Sequence, residues 1–292
     1  MFMSASAVAG VLGGPLAGTI MNHMNGMNGW SGWQWVFLIE GVPSVIAGFV
    51  TWFYLTDRPQ EARWLTPAQR QLVQDDLARD RAALGHREES LLASLKDGRL
   101  WLLILIFFCI IAANSSLTFF GPSVVKEVGF TNPATVGWIM SLAYLCGAAG
   151  MILNGRHSDR QKEARLHCAY AAAVGAVGML LTAVFMKTNP VLALAMQTVA
   201  IVGTMSAIPV FWQLPGRFLA GAAAAGGVAL INSVANLAGF GAPWMLGLIK
   251  TATGSLSTGL YVVAAVEVCA ALLILAFVPR FARTAVAKAS FH

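Results

Sequence analysis

Leu100-Trp101-Leu102-Leu103-Ile104-Leu105-Ile106-Phe107-Phe108-Cys109-Ile110-Ile111-Ala112-Ala113-Asn114-Ser115-Ser116-Leu117-Thr118-Phe119-Phe120 runs for 21 residues without an Asp, Glu, Lys or Arg. A helix rises about 1.5 Å per residue, so a run of this length crosses the roughly 30 Å hydrocarbon core of a bilayer. Working outward, comparable stretches occur at 4–21, 34–56, 134–155, 166–186, 191–213, 223–249 and 257–279. The sequence therefore predicts an all-α polytopic membrane protein with about eight transmembrane helices. Composition agrees, because 57% hydrophobic and 11% charged residues leave too little polar surface to solvate 292 residues in water.

The charged residues crowd into short segments between the apolar runs. Sixteen Lys and Arg fall in the loops on one side and three, Lys126, Lys187 and Lys250, on the other. The positive-inside rule then predicts a multi-pass protein of the inner (cytoplasmic) membrane, with the long 57–99 loop and the C-terminus cytoplasmic. A pI near 9.4 invites nucleic acid, but the basic residues sit at helix ends without interleaved aromatics, so no nucleic-acid partner is expected. Nothing at the N-terminus reads as a cleaved signal peptide. Cys109, Cys146, Cys168 and Cys269 show no CxxC spacing and lie in apolar surroundings. No cofactor or metal is expected from them.

The one long hydrophilic interval, Asp57 to Arg99, contains Leu65-Thr66-Pro67, where Thr66 suits an N-cap and Pro67 the first helical turn. A short amphipathic helix through Asp80 follows. A repeat links the first two runs to the last two: Gly13-Gly14-Pro15 precedes Glu40 by 25 residues from the Pro, and Ala242-Pro243 precedes Glu267 by 24. A six-helix unit in parallel repetition is one plan of secondary transporters. It divides the chain into 1–56, the last two helices of an N-terminal bundle; 57–99, the central loop; 100–279, a complete six-helix bundle; and 280–292, a cytoplasmic tail. Four helices of the first unit are then expected as a missing N-terminal segment.

The stretch Gly32-Trp33-Gln34-Trp35-Val36-Phe37-Leu38-Ile39-Glu40-Gly41-Val42-Pro43, with Asp57-Arg58-Pro59 and Ala62-Arg63-Trp64-Leu65 beyond it, resembles the sixth helix and central loop of the major facilitator superfamily. More narrowly it is similar to the anion:cation symporter family of tartrate, phthalate and sugar-acid permeases. Phe211-Trp212-Gln213-Leu214-Pro215 and the run from Gly226 to Phe240 resemble the same family. The resemblance covers helices five to twelve only, so a truncated form of that fold is expected. It implies a secondary active transporter of a small organic carboxylate anion, working by alternating access as a symporter, with a proton preferred to sodium as coupling ion. Alone, such a chain would be inactive. The alternatives are a membrane-embedded enzyme, for which the five scattered histidines build no site, and a non-transporting partner or scaffold subunit.

Polar groups inside a membrane are costly and so mark candidate sites. Asn232 and Asn236 are four apart and share a helix face, and Asn232 stands where the resemblance implies a substrate-contacting Asn. Asn114 and Ser115 could donate to a carboxylate or hydroxyl, and Tyr144 could offer a hydroxyl. Trp212 fits either a cavity closure or an interfacial belt. Glu40 and Glu267 fit packing or cap contacts better than proton carriage, and Glu40 is placed among the gating and structural residues. The loop Gly155-Arg156-His157-Ser158-Asp159-Arg160 departs from the family's Gly-x-Leu-Ser-Asp-Arg at its third position, and Arg156 and His157 make it unusually basic. There Asp159 is expected to make a state-dependent contact at a neighbouring helix end, with Arg160 and Arg217 as its electrostatic neighbours.

Overall fold

A computed structural model describes residues 4–62, 64–84, 97–217 and 222–278. Among them are nine α-helices: α1 (Ser4–His23), α2 (Gly32–Tyr54), α3 (Pro67–Leu84), α4 (Gly98–Glu127), α5 (Pro133–Gln161), α6 (Arg165–Phe185), α7 (Pro190–Phe211), α8 (Ala222–Thr253) and α9 (Leu256–Phe277). Six of these, α2, α4, α5, α6, α7 and α9, are long and apolar enough to cross a membrane. The other two expected spans, α1 and α8, are continuous helices of 20 and 32 residues. The expected tail at 280–292 lies outside the described residues.

Helix ends are set by local chemistry. Asn132 accepts from the Ala134 and Thr135 amides at 2.9 and 3.2 Å, with Pro133 in the first turn of α5. Asn189 repeats the device for α7, accepting from Leu192 at 3.1 Å ahead of Pro190. At α3 the Thr66 hydroxyl accepts from the Gln69 amide at 3.3 Å while Gln69 accepts from the Thr66 amide at 3.0 Å, a reciprocal capping box. Helices α4 and α5 outrun their apolar stretches, because hydropathy ends at the membrane whereas a helix ends at its cap. Lys162, at a φ of 52°, is the left-handed residue that stops α5.

Helices α4 to α9 pack on one another: α6 lies between α7 and α9, α4 against α8, and α5 against α7. Helix α1 docks on α5 and α2 touches chiefly α1, so that large side chains of α2 such as Trp52 and Phe53 are exposed. In hydrocarbon such a surface is solvated, and helix association rests on close packing. Small residues supply it. A Cβ on Gly14 would meet the Gly137 carbonyl oxygen at 2.8 Å, and one on Gly18 the Pro133 carbonyl oxygen at 2.6 Å, so backbone rests on backbone along the α1–α5 seam. Across the seam the Ser141 hydroxyl donates to the Val11 carbonyl oxygen at 2.6 Å.

Two large apolar clusters fill most of the bundle, with a small third one at Ala112, Ala238 and Ala242. One, around Met140, Ile201 and Leu260, lies toward the α4–α5 turn. The other, around Ile106, Phe211 and Ile231, lies toward the α5–α6 turn. In the second, Phe107 stacks on Phe211 at 4.4 Å between ring centres and meets Trp212 edge-on at 4.9 Å.

Candidate functional site

A cavity of about 580 Å³ opens where α1, α2, α4, α5 and α7 converge. Gly10, Gly13, Gly14 and Ala17 make its α1 wall, and their small size leaves the room. Asn114, Thr118 and Pro122 come from α4, Tyr144 from α5 and Glu40 from α2, with Met140, Met205 and Ile208 as apolar lining. Among the described lining residues there is no Lys, Arg or His.

The polar groups divide by whether they are already engaged. The Thr118 hydroxyl donates to the Asn114 carbonyl oxygen at 2.9 Å, the back-bond common for Ser and Thr in helices. The Tyr144 hydroxyl reaches Thr118 Oγ1 at 3.4 Å. Glu40 Oε1 is buried without a hydrogen-bond partner among the described residues. A carboxylate oxygen so placed is costly unless something in the cavity answers it.

The expected site residues are thus partly brought together. Asn114, Tyr144 and Glu40 share the cavity. Ser115 is buried on another face of α4, its hydroxyl lying 3.6 Å from where a Cβ on Gly239 would stand, and so faces α8. Asn232 and Asn236 do share a face of α8: the Asn236 amide donates to Asn232 Oδ1 at 3.0 Å and to its carbonyl oxygen at 2.7 Å. Both are exposed and neither lines the cavity.

A second cluster sits at the α5–α6 turn. Asp159 Oδ1 accepts from Gln213 Nε2 at 3.0 Å, tying the turn to the end of α7. Arg160 is exposed. The side chain of Arg217 lies outside the described residues. Ser158 donates to the Glu163 carbonyl oxygen at 2.9 Å, and Arg165 donates to the Ile274 carbonyl oxygen at 3.3 Å and to that of Leu275, capping α9. One turn therefore holds the ends of α5, α6, α7 and α9.

Sequence reading did not bring His157 and His167 together, although ten residues across a tight helical turn was the available signal. Their rings lie 4.8 Å apart, with His157 Nδ1 2.7 Å from His167 Nε2. Gln161 Nε2 is 3.0 Å from His157 Nε2, and His167 Nδ1 is 3.1 Å from Glu163 Oε2. The Gln161 amide can only donate there, and one arrangement then satisfies every contact: His157 Nδ1–H donates to His167 Nε2, and His167 Nδ1–H to Glu163.

Partial burial pushes the Glu163 carboxyl up, but hydrogen bonds from the Leu166 amide and from His167 outweigh it and hold the group below the usual carboxylate range. A carboxyl whose folded value is depressed stabilises the turn above its unfolded value and loses that contribution as pH falls through the folded one. The melting temperature of the purified chain should therefore fall on acidification through the carboxylate range, and Glu163→Gln should flatten that limb. An unchanged acid limb in the variant would remove Glu163 from the account.

A bundle of apolar helices enclosing a partly polar cavity defines a multi-pass integral membrane protein. The chain belongs to the Major Facilitator Superfamily, whose model matches residues 1–243. It is 39% identical over 94% of its length to a "Putative tartrate transporter" of Agrobacterium vitis, covering 63% of that protein. It is 35% identical over 89% of its length to the "Quinolone resistance transporter" of Acinetobacter baumannii, covering 60% of it. To the "Inner membrane transport protein RhmT" of Escherichia coli the identity is 33% over 94% of the chain and 63% of the relative. The chain thus spans about three fifths of the length of the curated relatives it matches.

Proposed function

We propose that this chain forms part of a secondary transporter for a small organic carboxylate, moved by alternating access in symport with a proton. The observation that carries the reading is the cavity in which Asn114 and Tyr144 stand beside the partnerless oxygen of Glu40. Neutral donors suit a carboxylate or hydroxyl, and an unanswered carboxyl oxygen suits a proton that comes and goes. The family and the names of the relatives favour a carrier over a membrane-embedded enzyme or a scaffold.

In this reading α1 and α2 are the closing pair of one bundle and α4 to α9 the whole of another, linked by the segment bearing α3. The packing of α4 to α9 on one another, with α2 set against α1, supports that division. Asn114 and Tyr144 would touch substrate from the second bundle, with Ser115, Asn232 and Asn236 as further polar contacts. The Asp159–Gln213 bond would be the gating contact, with Arg160 and Arg217 nearby. The Lys and Arg bias supports the cytoplasmic membrane, with α3 and the C-terminus inside.

Alternating access needs two bundles rocking about a central site. In cells without their own permeases, labelled tartrate uptake should be absent with this chain alone and appear when a complementary four-helix segment is co-expressed. Asn114→Ala in that pair should weaken apparent affinity about tenfold, the ~1.4 kcal/mol of one good hydrogen bond. Uptake by the chain alone would refute the two-part reading, and no carboxylate uptake by the pair would refute the function. A cysteine at Asp75, labelled from outside intact cells, would reverse the orientation.

A further inference from the structure

We infer that Glu40 is the proton site of the cavity: its carboxyl carries a proton while an anionic group occupies the space beside Asn114 and Tyr144, and releases it when that space empties. The inference rests on the carboxylate-carrier reading above and names the residue that would couple the two ions.

Placement comes first. Glu40 is the one Asp or Glu in α2 and the one acidic residue among those lining the cavity. Its Oε1 is buried and meets no hydrogen-bond donor among the described residues. Among the described residues the groups around it leave it alone electrically. Helix α1, against which α2 packs, has His23 as its ionisable side chain among the described residues, and that residue is exposed and bonded to the Thr19 carbonyl oxygen. Helices α4 and α7 present none to the cavity, and α5 presents Tyr144, whose hydroxyl is turned to Thr118. A phenol keeps its proton at neutral pH.

Size makes the two charges exclusive. A space of 580 Å³ has a radius of about 5 Å, so an anion within it lies about that far from the Glu40 carboxyl. At about 5 Å and an effective dielectric near 20, repulsion between two unit charges weakens binding by roughly two orders of magnitude. A proton taken from water onto the Glu40 carboxylate removes that repulsion and turns a repelling oxygen into a donor. Released to water on the far side once the anion has left, the same proton returns Glu40 to its starting state. The balance is one proton carried for each anion bound.

The test uses the full chain assembled with the complementary four-helix segment in lipid nanodiscs, wild type and Glu40→Gln, with tartrate as the probe. Calorimetry in buffers of different ionisation heat reads proton uptake on binding. Wild type should take up about one proton, and its affinity should fall about tenfold per pH unit on the alkaline side. Glu40→Gln should bind without proton uptake and with a flat pH profile. Uptake and slope that persist in Glu40→Gln overturn the assignment. If wild type binds no tartrate, the carrier reading is what has failed, and Glu40 is judged separately. An infrared carbonyl band of a protonated carboxyl should titrate with pH in wild type and be missing from Glu40→Gln. Identical infrared titrations in the two proteins overturn the assignment.

Discussion

Gly137→Val should detach α1 from α5. At the seam Gly14 and Gly137 each face the other helix's backbone, not a side chain that could swing away, and a Cβ on Gly137 would run into the Gly14 carbonyl group. Overpacking usually costs about 1–3 kcal/mol, and a clash with backbone on both sides belongs at the upper end. About 3 kcal/mol is roughly a hundredfold shift in the docking equilibrium. The bond from Ser141 to the Val11 carbonyl oxygen marks where to look. With the native cysteines replaced, cysteines at Val11 and Ser141 should cross-link efficiently, and Gly137→Val should abolish most of the product. Gly13→Ala is the control, since a Cβ there meets nothing within 4 Å. Equal cross-linking in the Gly137 and Gly13 variants would mean that the seam does not hold α1.

Thr204→Val should destabilise the bundle through a residue it leaves untouched. Glu267 is fully buried among α6, α7 and α9, with the Thr204 hydroxyl donating to Oε1 at 2.7 Å and Oε2 unpartnered among the described residues. Gly175 forms the opposing wall: a Cβ there would lie 2.6 Å from each of Glu267 Oε1 and Thr204 Oγ1. A buried carboxylate stripped of its one donor would cost roughly 3–5 kcal/mol. A neutral acid losing one hydrogen bond costs about 1–3 kcal/mol. No ion pair to Glu267 is present among the described residues, so the neutral acid is the form this site accommodates, and the smaller loss is expected. Glu267→Gln should then melt close to wild type, since an amide has the same shape and still accepts from Thr204. A collapse of Glu267→Gln, with Thr204→Val losing the larger amount, would instead point to an ionised Glu267.

The helices were legible because a bilayer admits few alternatives: apolar runs such as Leu100 to Phe120 must be helical to satisfy their backbone. The start of α3 was legible as well, since Thr66-Pro67 carries its own cap. Rotation about the helix axes was not. Asn232 and Asn236 lie on one face at spacing four, as the helical period requires, but nothing in the sequence says which way that face points. The same blind spot covers Glu40, whose setting on α2 reads as packing until α1 and α4 are placed beside it. His157 and Gln213 were hidden for a different reason. Their partners, His167 and Asp159, lie across a turn or on another helix, and such pairings follow from the bundle and not from any local pattern. The family resemblance was legible from long contiguous motifs, Gly32 to Pro43 and Gly226 to Phe240.

The meeting of α1 and α5 works as a bearing more than as a bolt. Backbone rides on backbone at Gly14 and Gly137 with little to snag, so a small rotation of one helix on the other asks for no rotamer change and stretches the bond at Ser141. Elsewhere the α5–α6 turn is tethered to α7 and α9 by bonds that would have to break. Stiffness is therefore uneven, and thermal motion should run along the glycine contact first. A lubricated joint of this kind sets where a two-body machine can turn without being rebuilt at every cycle.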